Sequence, residues 1–356
     1  MAVGDADPQG LSAVRGHETA KSLLRRAMAQ GRLASAYLFA GPRGVGKERV
    51  ARALAQTMNC EALAAPGADP CGRCGPCQRV LHQRHADVIV LQRELKDPPK
   101  EPDAALNRAW RTGRLEDIPD DDLRAVIRTE PVRELIAAMP FRPHEGGTRW
   151  VIVREADRFQ PNAANAFLKT LEEPPEATHF VLLTHRPSAL LSTIRSRCQV
   201  VRFGVLSEPD VRAVLSTLDL DPARVDALAS LSDGSVGRAL EFRDGEAHAR
   251  REELLTRLLA ALRTPGRESP VGSVSEVSEA LKAADKRDLD GALSLLQRHF
   301  RNECVAAAGS NPKASAVCAA RAEVVRETLE GLDGGANLNA QFALQSMLVR
   351  LREARA

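Results

Sequence analysis

A chain of 356 residues with 44% hydrophobic and 27% charged residues has enough apolar material for two or three separate cores. Its net charge of only +3 and aromatic fraction of 3% argue against a strongly basic nucleic-acid clamp and against a surface that stacks many bases. The N-terminus, MAVGDADPQG, lacks a basic-then-apolar signal pattern. No apolar run is long enough to cross a bilayer, so a cytoplasmic protein is expected.

The first segment with helical spacing is HETAKSLLRRAMAQ, residues 17–30, which sets Leu23, Leu24 and Ala27 on one side and stops at Gly31. AYLFAG, residues 36–41, is a short apolar run of the kind that forms a buried strand. It feeds GPRGVGKE, residues 41–48, and then ERVARALAQTMNC, where Val50, Leu54 and Met58 recur at helical spacing. Strand, glycine loop and helix is the setting of a phosphate-binding loop. Gly41, Gly46 and Lys47 supply that loop's fixed letters and Gly44 is a further glycine within it, all four candidates for holding phosphate, but the Ser or Thr that should follow the lysine is Glu48.

Four of the seven cysteines come next. Cys60, Cys71, Cys74 and Cys77 are spaced C-x10-C-x2-C-x2-C, with glycine and proline between the last three to allow tight turns. Four thiolates at this spacing favour a closed, structural Zn²⁺ site over a redox dithiol or an iron–sulfur cluster. His82 and His85 follow closely and are expected at the surface, because four thiols already complete the shell. Cys198, Cys304 and Cys318 are expected to be buried small apolar residues.

DVIVLQ, from Asp87, is a second strand. Residues 93–125 are polar and rich in Pro and Asp, as expected of an extended insertion with one short helix around Trp110. TEPVRELIAAM, from Thr129, reads as a helix capped by Thr129. RWVIVREADR carries a third strand that ends in charge. NAANAFLKTLEE is a helix stopped by Pro174 and Pro175. HFVLLTHR, from His179, and VVRF, from Val200, are the fourth and fifth strands. Strands alternating with helices over residues 1–205 imply an α/β domain with a parallel sheet covered on both faces. Residues 206–262 then read as short helices, 263–275 as a Gly, Pro and Ser-rich linker, and 276–356 as a second helical domain.

In a working phosphate loop, Mg²⁺ is held by the residue after the lysine and by an acid at the end of the third strand. Here Glu48 takes the first place and Arg154 the second, with Glu155 following where a water-activating acid would stand. A carboxylate about 4 Å from a phosphate oxygen repels it by roughly 4 kcal/mol at an effective dielectric of about 20. Two readings follow: Glu48 and Arg154 form a salt bridge in the magnesium site, or they are independent surface substitutions. Thr184, at the end of the fourth strand, lies at the sheet edge where ligands bind in such folds. Arg197, in SRC (residues 196–198), is either an ordinary solvated arginine or a finger that completes a neighbour's active site.

The runs GRLASAYLFAGPRGVGK, NAANAFLKTLEEPPEATHFVLLTHRPSALLSTIRSRCQVV and NLNAQFALQSMLVRL, together with the four-cysteine insert, resemble the bacterial DNA polymerase III clamp-loader subunits. The likeness is greatest to the delta-prime type and covers nearly the whole chain outside about 93–125. It implies an AAA+ module over 1–205 with a zinc insert at 60–77, a helical lid over 206–262, and a helical collar over 276–356 that assembles five subunits. It also implies partners: gamma/tau and delta subunits, and through the complex the sliding clamp and primer-template DNA.

Delta-prime subunits are typically stators without a working ATP site, so ATP binding here is expected to be weak or absent. By this resemblance, Arg197 is the trans-acting arginine finger and Thr184 matches the sensor-1 position. The related gamma/tau motors keep a Thr after the loop lysine, an Asp-Glu pair on the third strand, and a lid arginine in GSLR. Here the lid reads GSVGR, with Gly237 in the arginine's place and Arg238 one step on. Three departures favour the stator. The alternative is a gamma/tau-type ATP-hydrolysing motor.

Overall fold

A computed structural model of the chain describes residues 9–94, 124, 126–145, 147–243, 245–263, 286–333 and 340–354. It divides into two units, Met1–Glu241 and Phe242–Ala356. The helix expected around Trp110 lies outside the described residues.

The first unit is built on five parallel strands: β1 (Ala36–Ala40), β2 (Val88–Leu91), β3 (Arg149–Val153), β4 (Thr178–Thr184) and β5 (Gln199–Arg202). Their order across the sheet is β2-β3-β4-β1-β5, and every pairing is parallel. Parallel strands must be connected by crossovers, and here those run through helices on both faces.

The strands are apolar at nearly every position because each face has its own cover. Tyr37, Phe39, Val88, Val90, Trp150, Ile152, Val181 and Leu183 point to one side and pack with α1 (Glu18–Ala29) and α2 (Lys47–Met58). Leu38, Ile89, Leu91, Val151, Val153, Phe180 and Leu182 point to the other side. There they meet α4 (Thr129–Ala138) and α5 (Pro161–Glu172) through Val132, Leu135, Phe167 and Leu171. Helix α3 (Gly75–Leu81) forms the end of the cysteine insert, and α6 (Ser192–Arg195) leads into β5. Only the outer strand β5 leaves most of its side chains exposed.

Three short helices complete this unit: α7 (Glu208–Leu215), α8 (Pro222–Leu231) and α9 (Val236–Glu241). Ser207 caps α7 by accepting from the Asp210 N–H, and Asp221 caps α8 by accepting from the Ala223 N–H. The second unit holds α10 (Gly245–Arg263), α11 (Lys286–Ala308), α12 (Pro312–Asp333) and α13 (Ala340–Glu353) around one core that includes Leu258, Leu293, Leu296, Phe300, Val325, Met347 and Leu351.

Leu254 and Leu258 of α10, a helix within the stretch read as lid, pack with Leu289, Leu293 and Leu296 of α11. Three expectations change. Thr129 is the first residue of α4 rather than its cap; Arg128 takes the cap position without a side-chain bond. His85 is buried, against the surface position expected of it, and only His82 is exposed. Cys304 and Cys318 are partly exposed, while Cys198 is buried: the two former sit on helices of the second unit beside the polar Ser315 and Glu303. Among the described residues, no helix is long and apolar enough to cross a membrane.

Candidate functional site: a phosphate loop closed by its own side chains

The glycine loop follows β1 at the C-terminal edge of the sheet, the edge at which parallel α/β folds bind ligands. Gly46 caps α2 with a φ of 99°, and Gly44 sits at 67°, backbone conformations that glycine adopts without a steric penalty. Lys47 does not project from the loop. Its ammonium donates to the Gly41 carbonyl at 2.7 Å and to the Pro42 carbonyl. Burial, reinforced by the nearby Arg43 and opposed by Asp157, pulls its pKa down to about 8.

The magnesium positions hold an ion pair. Arg154 Nε donates to Glu48 Oε2 at 2.6 Å, and Arg154 Nη2 donates to Glu48 Oε1 at 2.7 Å. This is the bidentate fork that an arginine makes with a carboxylate. Arg52, one turn along α2 from Glu48, adds a second guanidinium at 2.8 Å from the same carboxylate, and Gln92 accepts from Arg154 Nη1 at 2.7 Å. Burial alone would raise the Glu48 pKa; Arg154 and then Arg52 outweigh it and bring it down to about 2. The reading of two independent surface substitutions fails here. The side chains are only 21% and 15% exposed and lie in direct contact.

Glu155, next on the chain, is held from both sides: Arg93 Nε donates to it at 2.7 Å and Arg43 Nη2 at 3.3 Å. Thr184 Oγ1 donates to Asp157 Oδ1 at 2.7 Å, and Arg186 Nη2 reaches Asp157 Oδ2 at 2.9 Å. Burial opposes the Asp157 charge, but His185, the Thr184 bond and Arg186 still hold its pKa below the usual carboxylate value.

The lid lies on the loop. The Gly237 N–H donates to the Gly44 carbonyl at 3.0 Å, and Ser235 Oγ donates to the Arg43 carbonyl at 2.9 Å. A Cβ at position 237 would stand 2.7 Å from the Gly44 Cα, so this contact exists only because both residues lack one. Arg238 turns away and pairs with Asp233 at 2.7 Å.

Loop, Glu48, Arg154, Thr184 and Gly237 therefore converge on one edge of the sheet, as their places in the sequence implied. Arg43, Arg52, Arg93, Asp157 and Ser235 join them without having been singled out. Of these only Arg52 carried a signal, standing one helical turn from Glu48.

Arg197 is elsewhere. It precedes β5, whose Gln199 pairs with Tyr37 near the start of β1, whereas the glycine loop begins beyond the Ala40–Arg202 pair. Those three residue steps alone are about 10 Å along the strand at ~3.3 Å per residue. Its side chain pairs with Glu172, and Nη1 donates to the Thr193 carbonyl at 2.9 Å.

The cysteine insert forms a separate site. The sulfurs of Cys60, Cys71, Cys74 and Cys77 all lie within 4.8 Å of one another. Four thiolates on a tetrahedral zinc, with bonds of ~2.3 Å, stand about 3.8 Å apart, so the donor set and spacing fit a metal ion. The Cys71 N–H points at Cys60 Sγ at 3.3 Å, and the Cys74 N–H at Cys71 Sγ at 3.4 Å, as suits sulfurs that carry negative charge.

Residues 16–207 match the family model described as DNA polymerase III, delta subunit. The DNA polymerase III subunit tau of Escherichia coli is 30% identical over 243 residues, which cover 67% of this chain and 33% of that protein. The subunit delta' of Bacillus subtilis is 30% identical over 240 residues, covering 67% and 63%. That of Pseudomonas aeruginosa is 36% identical over 165 residues, covering 46% and 42%. The chain thus spans about a third of the length of the tau relative that it matches.

Proposed function

We propose that this chain, which belongs to the family described as DNA polymerase III, delta subunit, is the delta-prime-like stator of a clamp loader: a subunit that assembles with gamma/tau and delta-type partners, does not hydrolyse ATP itself, and lends Arg197 to a neighbour's site. Relatives named tau and delta' are about equally similar in sequence, so the choice between stator and motor rests on chemistry. The observation that carries it is the Glu48–Arg154 fork. A metal ion between the loop and β3 needs oxygen ligands, and the guanidinium that stands there is cationic and takes both oxygens of the one acid.

Three further contacts support the same reading. Lys47 is bonded to its own loop, Glu155 is bound by two arginines, and the lid backbone occupies the ground above Gly44. Each would have to break before a triphosphate and its Mg²⁺ could be held as in a working phosphate loop. The placement of Arg197 away from its own loop supports action in trans. The zinc proposed for the four cysteines would be structural, since four thiolates leave no open position for chemistry. Work on the sliding clamp and primer-template DNA would come through the assembled complex in the cytoplasm.

The test has two parts. The purified chain should show no ATP turnover; a rate of about 1 s⁻¹ or more, ordinary for an enzyme, would establish the motor instead. In the reconstituted complex, Arg197→Ala should leave assembly intact and remove the DNA-stimulated ATPase of the adjoining site. Unchanged turnover would end the finger role.

A further inference from the structure

From the contacts of Arg197 we infer that Glu172 is the positioning residue of the finger: its carboxylate fixes the guanidinium at the subunit surface in an orientation that keeps donors free for the neighbour's phosphate. The inference rests on the finger role proposed above.

Two elements anchored in one core hold the arrangement. Glu172 is the last residue of α5, directly after the buried Leu171; Arg197 lies between the buried Ile194 and Cys198. Leu171, Ile194 and Cys198 belong to the same hydrophobic cluster. The backbone that carries each end of the ion pair cannot shift without disturbing that packing.

The guanidinium is used sparingly. Nη2 donates to the Glu172 carboxylate and Nη1 to the Thr193 carbonyl. A guanidinium carries five N–H donors, so these two bonds leave three. The side chain is a third exposed and Glu172 about half exposed, so the pair sits at the surface where a second chain can reach it. A carboxylate at a helix C-terminus is also in the unfavourable field of the helix dipole, and the arginine opposite it relieves that. Glu173, its neighbour, makes no such bond among the described residues.

An exposed pair of this kind contributes little to folding. Its consequence is orientation. Arg carries much rotamer freedom, and a donor already aimed loses less of it at each encounter.

The experiment compares Glu172→Gln, Glu172→Asp and Arg197→Ala in the reconstituted complex, with assembly checked by size-exclusion chromatography and ATP turnover measured over a range of ATP. Glu172→Gln should lower kcat about three- to tenfold with KM for ATP unchanged, since only the finger's pre-organisation is lost. Glu172→Asp, which keeps the charge, should recover most of the rate. If Arg197→Ala slows turnover while Glu172→Gln leaves it unchanged or speeds it, Glu172 is no positioning residue and only this inference fails. A KM change without a kcat change has the same meaning. If Arg197→Ala itself has no effect, the finger role fails and takes the inference with it.

Discussion

The Glu48–Arg154 fork can be weighed by a double-mutant cycle. Glu48 has its pKa brought from the ordinary 4.5 to about 2. At about 1.36 kcal/mol per pKa unit, that is on the order of 3 kcal/mol in favour of the ionised form, net of burial. Arg154 and Arg52 share it, and Arg154 is the larger contributor. A coupling of about 2 kcal/mol between Glu48 and Arg154 is therefore expected. The singles Glu48→Gln and Arg154→Gln should each lose about 2–3 kcal/mol, the first because it leaves Arg154 facing Arg52 and the second because Glu48 keeps only Arg52. The double variant should lose about 2 kcal/mol less than their sum. Urea unfolding followed by tryptophan fluorescence is suited to this, because Trp150 is fully buried in the Met1–Glu241 unit. The sign with pH is fixed by a depressed carboxylate: the contribution is complete above about pH 4.5 and is lost as pH falls towards 2. Additive losses at pH 7, within about 0.5 kcal/mol, would refute the claim that the pair seals the site.

Two other outcomes follow from the contacts described. The purified chain should carry stoichiometric zinc by elemental analysis, and chelation should destabilise the Met1–Glu241 unit, because a structural metal contributes folding energy; bound iron, or no metal at all, would contradict the zinc reading. Gly237→Val should cost about 1–3 kcal/mol and speed amide exchange across α9, since its Cβ would stand 2.7 Å from the Gly44 Cα; unaltered exchange would mean that the lid does not rest on the loop.

The sheet was legible because a strand buried on both faces has to be apolar throughout, and AYLFA, VIVL, RWVIV and THFVLLT are nearly so. The opposed charges at positions 48 and 154 were legible as a pair because the strand–loop–helix grammar puts both beside the same metal. The partners of Glu155 were not. Arg43 and Arg93 reach it from the loop and from the end of the adjacent strand β2, and nothing in local spacing says which of many arginines will meet which acid. Helical spacing identifies α10 as a helix, but only tertiary packing assigns its apolar side to the second unit.

The glycine loop is intact beside the Glu48–Arg154 pair, and packing is sufficient to explain that. A Cβ on Gly41 would stand 2.3 Å from the Phe203 carbonyl oxygen, at the end of β5. A Cβ on Gly44 would stand 2.5 Å from Ser235 Oγ and 2.7 Å from the Gly237 Cα, on a backbone already at positive φ. Lys47 donates to two carbonyls of its own loop, those of Gly41 and Pro42. Gly41, Gly44 and Lys47 thus each have a structural task in this chain, independent of any nucleotide: Gly41 seats the loop against the end of β5, Gly44 receives the lid, and Lys47 ties the turn to its own backbone. Where a motor would use the same residues to grip and release a triphosphate, the contacts here join loop, β3 and lid into one bonded body. Under the stator reading proposed above, that rigidity would let the chain offer Arg197 to a neighbour from a fixed position.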